Sequence, residues 1–497
     1  MRISIVLVLV LALCSGVDCA GDDAVASKST LSPEAQQLKA LYFALYAAFG
    51  VLSPYLSLFF QNRAISKPWA GVLMAIPNAA CVLCGPMLSA WADSTSNHWS
   101  VLFGSIVAGA MTTLIMLFIP EGQIAWMMLL VVAGSIARSP TTSIVDTLVI
   151  RAVGAENFGD MRLYGAASFG ILSLVGGLLL SSGFTSIFLT NVACCGLASL
   201  VVLRLQARDR AKAAQTSPYD ALAQGSAHPA LEIEMTQTKE VGVSDSLPSG
   251  TSTSVYSLLK AKFDEMWGSI LIFFCIVTIS GISDGIIDAF LFVRVKELGG
   301  SGALLGIARA LTCVSEVLVF PASGKIYDKL GVWNCLAVTS VAFVIRFCAY
   351  CFLTPSTVTF VLAVECLNGL TFALTWQTSC KYASEIAPKG TDATAQSILE
   401  SLHWGLGSGA GAFLSGFVYH YKGAQYLFVL AAALSAASFF LSLVGALFFG
   451  GPASGQTVAE LASQAQGSIK NPVVFSIVGD EEEVEVGLEE IEFATKL

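Results

Sequence analysis

The sequence predicts an all-α membrane protein in which twelve transmembrane helices form two halves of six. The chain is 497 residues long, 55% hydrophobic and only 12% charged, whereas soluble domains carry roughly a quarter charged residues. Apolar segments long enough to cross a bilayer core of about 30 Å recur along most of the chain. A polar stretch at residues 205–266 separates them into two groups of six.

The predicted spans follow one another closely within each group. The first six form an N-terminal half at residues 38–204, and the last six form a C-terminal half at residues 267–449. The individual spans, numbered one to twelve, cover residues 38–60, 69–91, 99–119, 124–150, 162–183, 186–204, 267–293, 303–324, 334–354, 358–384, 395–420 and 424–449.

Two polar segments lie outside the spans. Residues 205–266 contain the run SLPSGTSTS from Ser246. Such a composition buries too little apolar surface to fold alone and predicts a disordered linker. The tail at residues 450–497 carries eight acidic residues between Asp480 and Glu492, a pattern that repels itself and stays solvated. A partner or trafficking signal is the alternative interpretation of the tail.

Lys and Arg concentrate in the loops on the side of the linker. The opposite loops carry only Arg63, Lys67, Arg294, Lys296 and Lys422. Because positive residues accumulate on the cytoplasmic side of membrane proteins, we expect both termini and the linker to be cytoplasmic. The sequence leaves open whether the membrane is the plasma membrane, an endomembrane or a plastid envelope.

The N-terminal segment at residues 1–20 conflicts with this orientation. Arg2 followed by the apolar run Ile3–Leu13 is typical of a secretory signal peptide. Its cleavage would place the mature N-terminus outside, and twelve spans would return the C-terminus to the same side. We therefore favour an uncleaved targeting element, with cleavage as the alternative.

The two groups of spans share an internal repeat. Five positions of the first half recur 235 residues later with the same residue types, namely Gly50, Gly71, Ala75, Pro86 and Asp93, which match Gly285, Gly306, Ala310, Pro321 and Asp328. Gly170 and Gly177 recur as Gly409 and Gly416 at an offset of 239. Each half has an even number of spans, so both enter from the same side and form a parallel repeat.

Ionisable side chains within the spans are candidate functional residues, because a charge near the bilayer centre normally faces a partner or a wet cavity. We select eight of those in the predicted spans, namely Arg138, Asp146, Asp284, Asp288, Glu316, Arg346, Glu365 and His403. At about 1.5 Å per helical residue, Glu316 and His403 lie about 12 Å deep, and Arg138 and Arg346 about 18 Å deep. We expect a shared layer around one cavity.

Glu316 and Arg346 are either a coupling pair or a structural ion pair between spans eight and nine. Arg138 is either a solute contact or a lock with Asp146. His403 is the third candidate for proton coupling, with ordinary burial as the alternative. Position 316 corresponds to Cys81 in the first half, so the repeat itself does not require a carboxylate there.

Other polar and aromatic residues are candidate solute contacts. The set comprises Arg138, Tyr46, Asn78, Asp284, Glu365, Asn368, Trp376 and Gln377. Asp93 and Asp328 end spans two and eight, where a carboxylate can cap helix ends and act as a gate. With Asp146 and Arg162, we expect them to have gating or structural roles. Ordinary packing is the alternative for each aromatic and amide residue.

The sequence also indicates what is absent. The 13 cysteines stand mostly in apolar spans without the paired spacing of zinc ligands, so we expect neither a metal site nor a cofactor. The motifs HExxH, GxSxG and a phosphate-binding loop are missing, as is a basic patch for nucleic acid. We therefore expect no enzyme and no nucleic-acid partner.

Several motifs keep the order and spacing of a known family. AFGVLSPYLSLFF at Ala48–Phe60, then GVLMAIPN and GPMLSAWAD, resemble the opening of the major facilitator family that includes domain-containing protein 6-like members. Pro140, Asp146 and the turn from Arg162 to Gly165 continue the resemblance. In the second half it extends through SEVLVFPASGKIYDKLG, Arg346 with Tyr350, NGLTFALTW and ATAQS, and it covers residues 42 to 445.

This resemblance implies the major facilitator fold and transport of a small molecule. In wider relatives similar to lactose permease and nucleoside:proton symporters, a glutamate in span eight and an arginine in span nine serve substrate binding and coupling. The resemblance assigns these roles here to Glu316 and Arg346. The resulting hypothesis is proton-coupled symport of a sugar, nucleoside or organic acid by a monomer within membrane lipid. An uncoupled facilitator and a receptor or scaffold without transport are the alternatives.

Overall fold

The structure is a computed structural model that describes residues 33–95, 97–153, 158–215, 255–387 and 392–449. All of them belong to one compact unit. The signal-like segment 1–20, the middle of the predicted linker at residues 216–254 and the acidic tail 450–497 lie outside the described residues.

Nearly all of the described chain is helical, and its helices pass back and forth as one bundle. Their bounds are Pro33–Leu52, Leu56–Asn62, Lys67–Ser94, His98–Met116, Ile124–Arg138, Thr141–Val153, Phe158–Leu179, Phe184–Gln215, Val255–Glu297, Gly302–Cys351, Val361–Glu365, Gly369–Leu374, Thr375–Ile386, Asp392–Glu400, Ser401–Ser408, Gly409–Lys422 and Ala424–Phe449.

Ten helical stretches of the described chain are individually long and apolar enough to cross a membrane. One of them, Gly302–Cys351, contains both span eight and span nine, because Gly331 has a φ of +75° and turns the chain between them. Span eleven consists of shorter pieces, since the π-helical segment Ser401–Ser408 lies in its middle. With these two, the described residues contain the twelve spans that the sequence predicts.

Two helices extend into the region predicted as linker. Span six continues to Gln215, and the helix of span seven begins at Val255. The first extension is rich in Ala, Arg and Gln, which favour helix. It is held by Trp99, whose Nε1 donates to Asp209 at 2.8 Å. The predicted linker is therefore helical at both of its ends.

The same helix contacts occur in both halves. A Cβ on Gly50 of span one would lie 2.4 Å from the carbonyl oxygen of Phe169 in span five. A Cβ on Gly285 of span seven would lie 2.2 Å from that of Ser408 in span eleven. Gly50 and Gly285 differ by the 235-residue offset, and Phe169 and Ser408 by the 239-residue offset. The predicted parallel repeat is confirmed.

Glycines also join the two halves to each other. A Cβ on Gly71 of span two would lie 3.0 Å from the Cα of Gly416 in span eleven, and one on Gly177 of span five would lie 2.6 Å from that of Gly306 in span eight. These two contacts correspond through the repeat. Small residues allow such backbone-to-backbone approach between membrane helices.

The bundle has two ends that differ in packing. At the Lys67 end, where Lys67 begins span two and Glu297 ends span seven, one apolar cluster contains residues of both halves, including Phe59, Phe188 and Phe290. At the Asp93 end, where spans two and eight finish, each half has its own cluster. The halves are therefore joined at the Lys67 end, whereas no apolar cluster of the described residues contains both halves at the Asp93 end.

Candidate functional site

Arg346 of span nine lies at the centre of the candidate site and is fully buried. Its Nη1 donates to Asn368 at 2.8 Å and to Thr371 at 2.5 Å. Its Nη2 donates to Glu365 at 3.1 Å, and its Nε donates to the hydroxyl of Tyr350 at 3.1 Å. A buried charge is tolerated only with such pairing and hydrogen bonding. Arg346 therefore fixes span nine against span ten.

Glu365 is the ion-pair partner of Arg346, and this corrects the pairing predicted from the sequence. We expected Glu316 to pair with Arg346 and Glu365 to contact solute near the outer edge. The structure leaves Glu365 only 2% exposed. Its second oxygen accepts a hydrogen bond from Tyr350, so its carboxylate is engaged within the protein.

Glu316 reaches Arg346 through an intermediate residue. Its Oε1 accepts a hydrogen bond from Nδ2 of Asn368 at 2.7 Å, and the Oδ1 of the same amide accepts from Arg346. Asn368 can lie between these residues because the next residue, Gly369, packs directly on span eight. The N–H of Gly369 donates to Ser315 of span eight at 2.9 Å. Asn368, predicted as a solute contact, is thus a bridge, and Glu316 is half-buried at its far end.

Two π-helical segments adjoin the site, Gly369–Leu374 in span ten and Ser401–Ser408 in span eleven. Such segments contain an extra residue per turn and occur frequently at functional sites. The first follows Asn368 and contains Thr371, and the second contains His403. No pattern in the sequence predicted them.

His403 lies apart from the hydrogen-bonded chain of Glu316, Asn368 and Arg346. Its Nε2 is 3.4 Å from Oδ2 of Asp284 in span seven. The sequence predicted His403 in one coupling layer with Glu316 and Arg346, and Asp284 as a solute contact. The structure instead places the two side chains together, both buried.

Aromatic rings form a cluster beside His403, and half-buried Trp376 is part of it. The Trp376 ring centre lies 5.3 Å from that of His403 and 6.1 Å from that of Trp404. Phe372 lies 5.7 Å from Trp404. Gln377, also predicted as a solute contact, lines a different hollow of about 500 Å³ together with Lys381, Glu385 and Gln396.

The predicted contacts of the first half are more varied. Asn78 donates to the hydroxyl of Ser408 at 3.2 Å and so joins the two halves. Tyr46 stacks on Tyr42 with ring centres 5.7 Å apart, and both rings pack on Gly165 of span five. Tyr46 therefore contributes to the contact of spans one and five.

Arg138 is held by span three. Its Nη1 donates to the carbonyl oxygen of Gly109 at 3.2 Å and to Thr113 at 2.8 Å. The alternative interpretation of Arg138 as a lock with Asp146 is not what the structure shows, because Asp146 accepts a hydrogen bond from Tyr42 of span one. Arg138 and Asp146 thus fix different helix pairs.

The carboxylates at the Asp93 end each bind within their own half. Asp93 lies 2.7 Å from Nε2 of His98 and 3.9 Å from Arg151. Asp328 pairs with Lys381. Arg162 belongs to the helix Phe158–Leu179, and its side chain lies outside the described residues.

Arg309 of span eight is a site residue that the sequence analysis missed. Its Nη1 donates to Asp288 of span seven at 3.0 Å, and its guanidinium carbon lies 5.4 Å from the ring centre of Phe169 in the other half. Arg309 stands seven residues before Glu316, which places both on one helix face. The seven-residue spacing from Glu316 could have identified Arg309 as a candidate residue from the sequence.

Two six-helix halves joined by glycine contacts, with a hydrogen-bonded group of buried ionisable side chains in the second half, fit a membrane transporter of the major facilitator type. The sequence profile of the MFS_1 like family matches residues 35–430, and the chain belongs to this family. The maltose permease of Geobacillus stearothermophilus is 24% identical over 393 residues, which cover 78% of this chain and 89% of the permease.

Further similarities agree with this membership. The major facilitator superfamily domain-containing protein 6-like protein B of Xenopus laevis is 28% identical over 152 residues, which are 30% of this chain and 24% of that protein. The structure of the nucleoside transporter NupG has a TM-score of 0.64 at 18% identity and covers 83% of this chain and 99% of its own. A POT peptide transporter has a TM-score of 0.58 at 12% identity, with 82% and 93% covered. These structures share the fold.

Proposed function

We propose that this protein is a proton-coupled symporter of a small polar solute and that Glu316 binds the coupled proton. The observation that carries the proposal is the chain of hydrogen bonds from Glu316 through Asn368 to Arg346. The charge of Arg346 is already matched by Glu365 at 3.1 Å. Glu316, held by a neutral amide and half-buried, is therefore a carboxylate that can change protonation without breaking the ion pair of Arg346.

The solute class we favour is a sugar. Sugar rings combine apolar faces with a rim of hydroxyls, and aromatic side chains bind such faces well. Trp376, Trp404 and Phe372 provide such aromatic faces beside His403. The similarity to a maltose permease over most of the chain supports the same class.

Alternating access follows from the difference between the two ends. The halves share apolar packing at the Lys67 end and have separate clusters at the Asp93 end. The Lys and Arg distribution of the loops supports a cytoplasmic Asp93 end with cytoplasmic termini. This conformation then opens to the cytoplasm, and rocking of the two halves about the site would open the Lys67 end.

The test uses purified protein in liposomes with an entrapped pH-sensitive dye. Radiolabelled maltose is the first probe and uridine the second, under an inward proton gradient. We expect uptake accompanied by acidification of the lumen, with the acidification lost in Glu316→Gln. Glu121→Gln is the matched control because Glu121 is exposed in a loop.

Other outcomes would overturn the proposal. An uptake rate that is the same with and without the proton gradient would identify an uncoupled facilitator. A Glu316→Gln protein that still acidifies the lumen would exclude Glu316 as the proton site. Folded protein that transports neither probe would favour a receptor without transport.

A further inference from the structure

Asp284 and His403 are a buried pair whose facing atoms have no partner other than each other among the described residues. Asp284 is 8% exposed and His403 is 1% exposed. Oδ2 of Asp284 and Nε2 of His403 lie 3.4 Å apart, within reach of a hydrogen bond, and neither atom has another partner in the part of the chain that the structure describes. Buried polar atoms normally have well-formed hydrogen bonds. A buried acid and imidazole held only by this contact therefore need a physical reason.

Helix packing does not supply that reason. Through the two offsets of the repeat, Asp284 corresponds to Phe49 and His403 corresponds to Tyr164. Spans one and five make the same close approach at Gly50 as spans seven and eleven make at Gly285. The scaffold thus makes this helix approach in the first half with aromatic residues at the two corresponding positions, where the second half has an acid and an imidazole.

The charges of the second half point to the same pair. Away from the two ends of the bundle, the described part of this half contains four acidic side chains that are buried or half-buried. It contains two arginines that are buried to the same degree. Glu365 pairs with Arg346 at 3.1 Å, and Asp288 pairs with Arg309 at 3.0 Å. Two carboxylates are left over, those of Glu316 and Asp284.

The surroundings of the pair are mostly uncharged. Ionisable neighbours are Asp288 one turn along span seven, Glu316 in span eight and Arg346 in span nine, which act on Asp284 electrostatically. Span ten contributes Trp376 next to His403. Span two packs on span eleven through the neutral side chains of Val82 and Asn78. None of the side chains that spans two and ten contribute here carries a charge.

We propose that Asp284 and His403 form a second proton-binding site, so that one transport cycle carries two protons. A neutral imidazole with its hydrogen on Nδ1 would face the carboxylate with two acceptors, whereas one with its hydrogen on Nε2 would donate to Oδ2. An added proton makes the ring a cation with a hydrogen on both nitrogens, so that Nε2 donates to Oδ2 as a charge-assisted hydrogen bond. The two groups then titrate as one unit. This proposal rests on the proposed function, in which Glu316 binds the other proton.

The test needs no solute. The chain has only 4 histidines, so protein labelled with ¹⁵N in its histidine rings and placed in lipid nanodiscs gives few signals, and His403→Gln assigns the one of interest. The signal is recorded between about pH 4 and about pH 9, and we expect it to respond to pH differently in the wild type and in Asp284→Asn, because the substitution removes the carboxylate that is the only partner of Nε2 among the described residues. The exposed His420 is the internal control.

A His403 signal that is constant over this range, or whose midpoint is the same in Asp284→Asn, would overturn the proposal. If Asp284→Asn does not fold, Asp284→Glu gives a second comparison, since it keeps the charge and changes the distance. These results are independent of whether Glu316→Gln loses proton influx. For an uncharged solute, two coupled protons would support about 100-fold accumulation per pH unit, and one proton about tenfold.

Discussion

Lys67 of the first half and Glu297 of the second half form an ion pair across the Lys67 end, with Nζ 2.7 Å from Oε1. Tyr419 strengthens it by donating its hydroxyl to the other oxygen of Glu297 at 2.5 Å. The Lys67 ammonium also lies 4.1 Å from the centre of the Tyr419 ring. Because the pair joins the two halves, it must break before this end can open.

Glu297→Gln is expected to favour opening of the Lys67 end. The side chains of Lys67 and Glu297 are 26% and 37% exposed, and pairs of this kind contribute about 0.2–1 kcal/mol. The conformational equilibrium should therefore shift up to about fivefold. Spin-label distances across each end measure this shift, and high salt should reproduce part of it in the wild type. The control is Lys422→Gln, which removes an exposed charge near this end and should have no effect. If Glu297→Gln and the wild type populate the open Lys67 end equally, the pair does not have this role.

Gly177→Ala should destabilise the closed Lys67 end. The new Cβ would lie 2.4 Å from the carbonyl oxygen of Gly302 and 2.6 Å from the Cα of Gly306, so spans five and eight must separate. Overpacking of this kind costs about 1–3 kcal/mol. Labelling of single cysteines placed near that end should become faster. In Gly196→Ala, where a Cβ meets no atom within 4 Å, the labelling rate should stay at the wild-type value.

Glu365→Gln should lower thermal stability more than Asp288→Asn does. Removing one partner of a buried ion pair costs about 3–5 kcal/mol, and Arg346 and Glu365 have side chains that are 1% and 3% exposed. The Asp288 side chain is 40% exposed, so water can replace its contact with Arg309. Thermal unfolding of the two purified proteins, followed by intrinsic fluorescence, gives the comparison. Equal losses would show that Arg346 does not depend on Glu365.

Asn368→Ala should separate proton coupling from solute exchange. The substitution removes the amide that accepts from Arg346 and donates to Glu316, while Glu365 still pairs with Arg346. We expect proton-driven maltose uptake to fall about tenfold or more, with exchange at equal pH retained. Asn334→Ala is the matched control, because that amide only donates to Leu330 at the exposed Asp93 end. Parallel loss of both activities would indicate solute binding by Asn368 instead.

The sequence predicted the scaffold well because the repeat is encoded in small residues. Gly50 and Gly71 recur as Gly285 and Gly306 since both halves need close helix approach at the same places. These contacts depend on residue size and spacing, which are visible in one sequence. The break between spans eight and nine was also predicted, at the position where Gly331 adopts its positive φ.

The polar pairing of the site was not predictable in the same way. A rise of about 1.5 Å per residue gives the depth of a side chain and not the direction in which it points. Arg346 pairs with Glu365 of span ten, and Asn368 of the same span lies between Arg346 and Glu316 through its two hydrogen bonds. The ion pair of Lys67 and Glu297 depends on contact between halves, which no local pattern in the sequence reports.

The π-helical segments of spans ten and eleven have a consequence for the motion of the second half. A π turn contains one residue more than an α turn, so its conversion to α geometry turns the following side chains by about 100° about the helix axis. Such a change in Gly369–Leu374 would re-aim Trp376, and one in Ser401–Ser408 would re-aim the helix that reaches Tyr419. The described part of the second half thus contains two segments at which such a conversion would turn side chains about the helix axis without a movement of the halves.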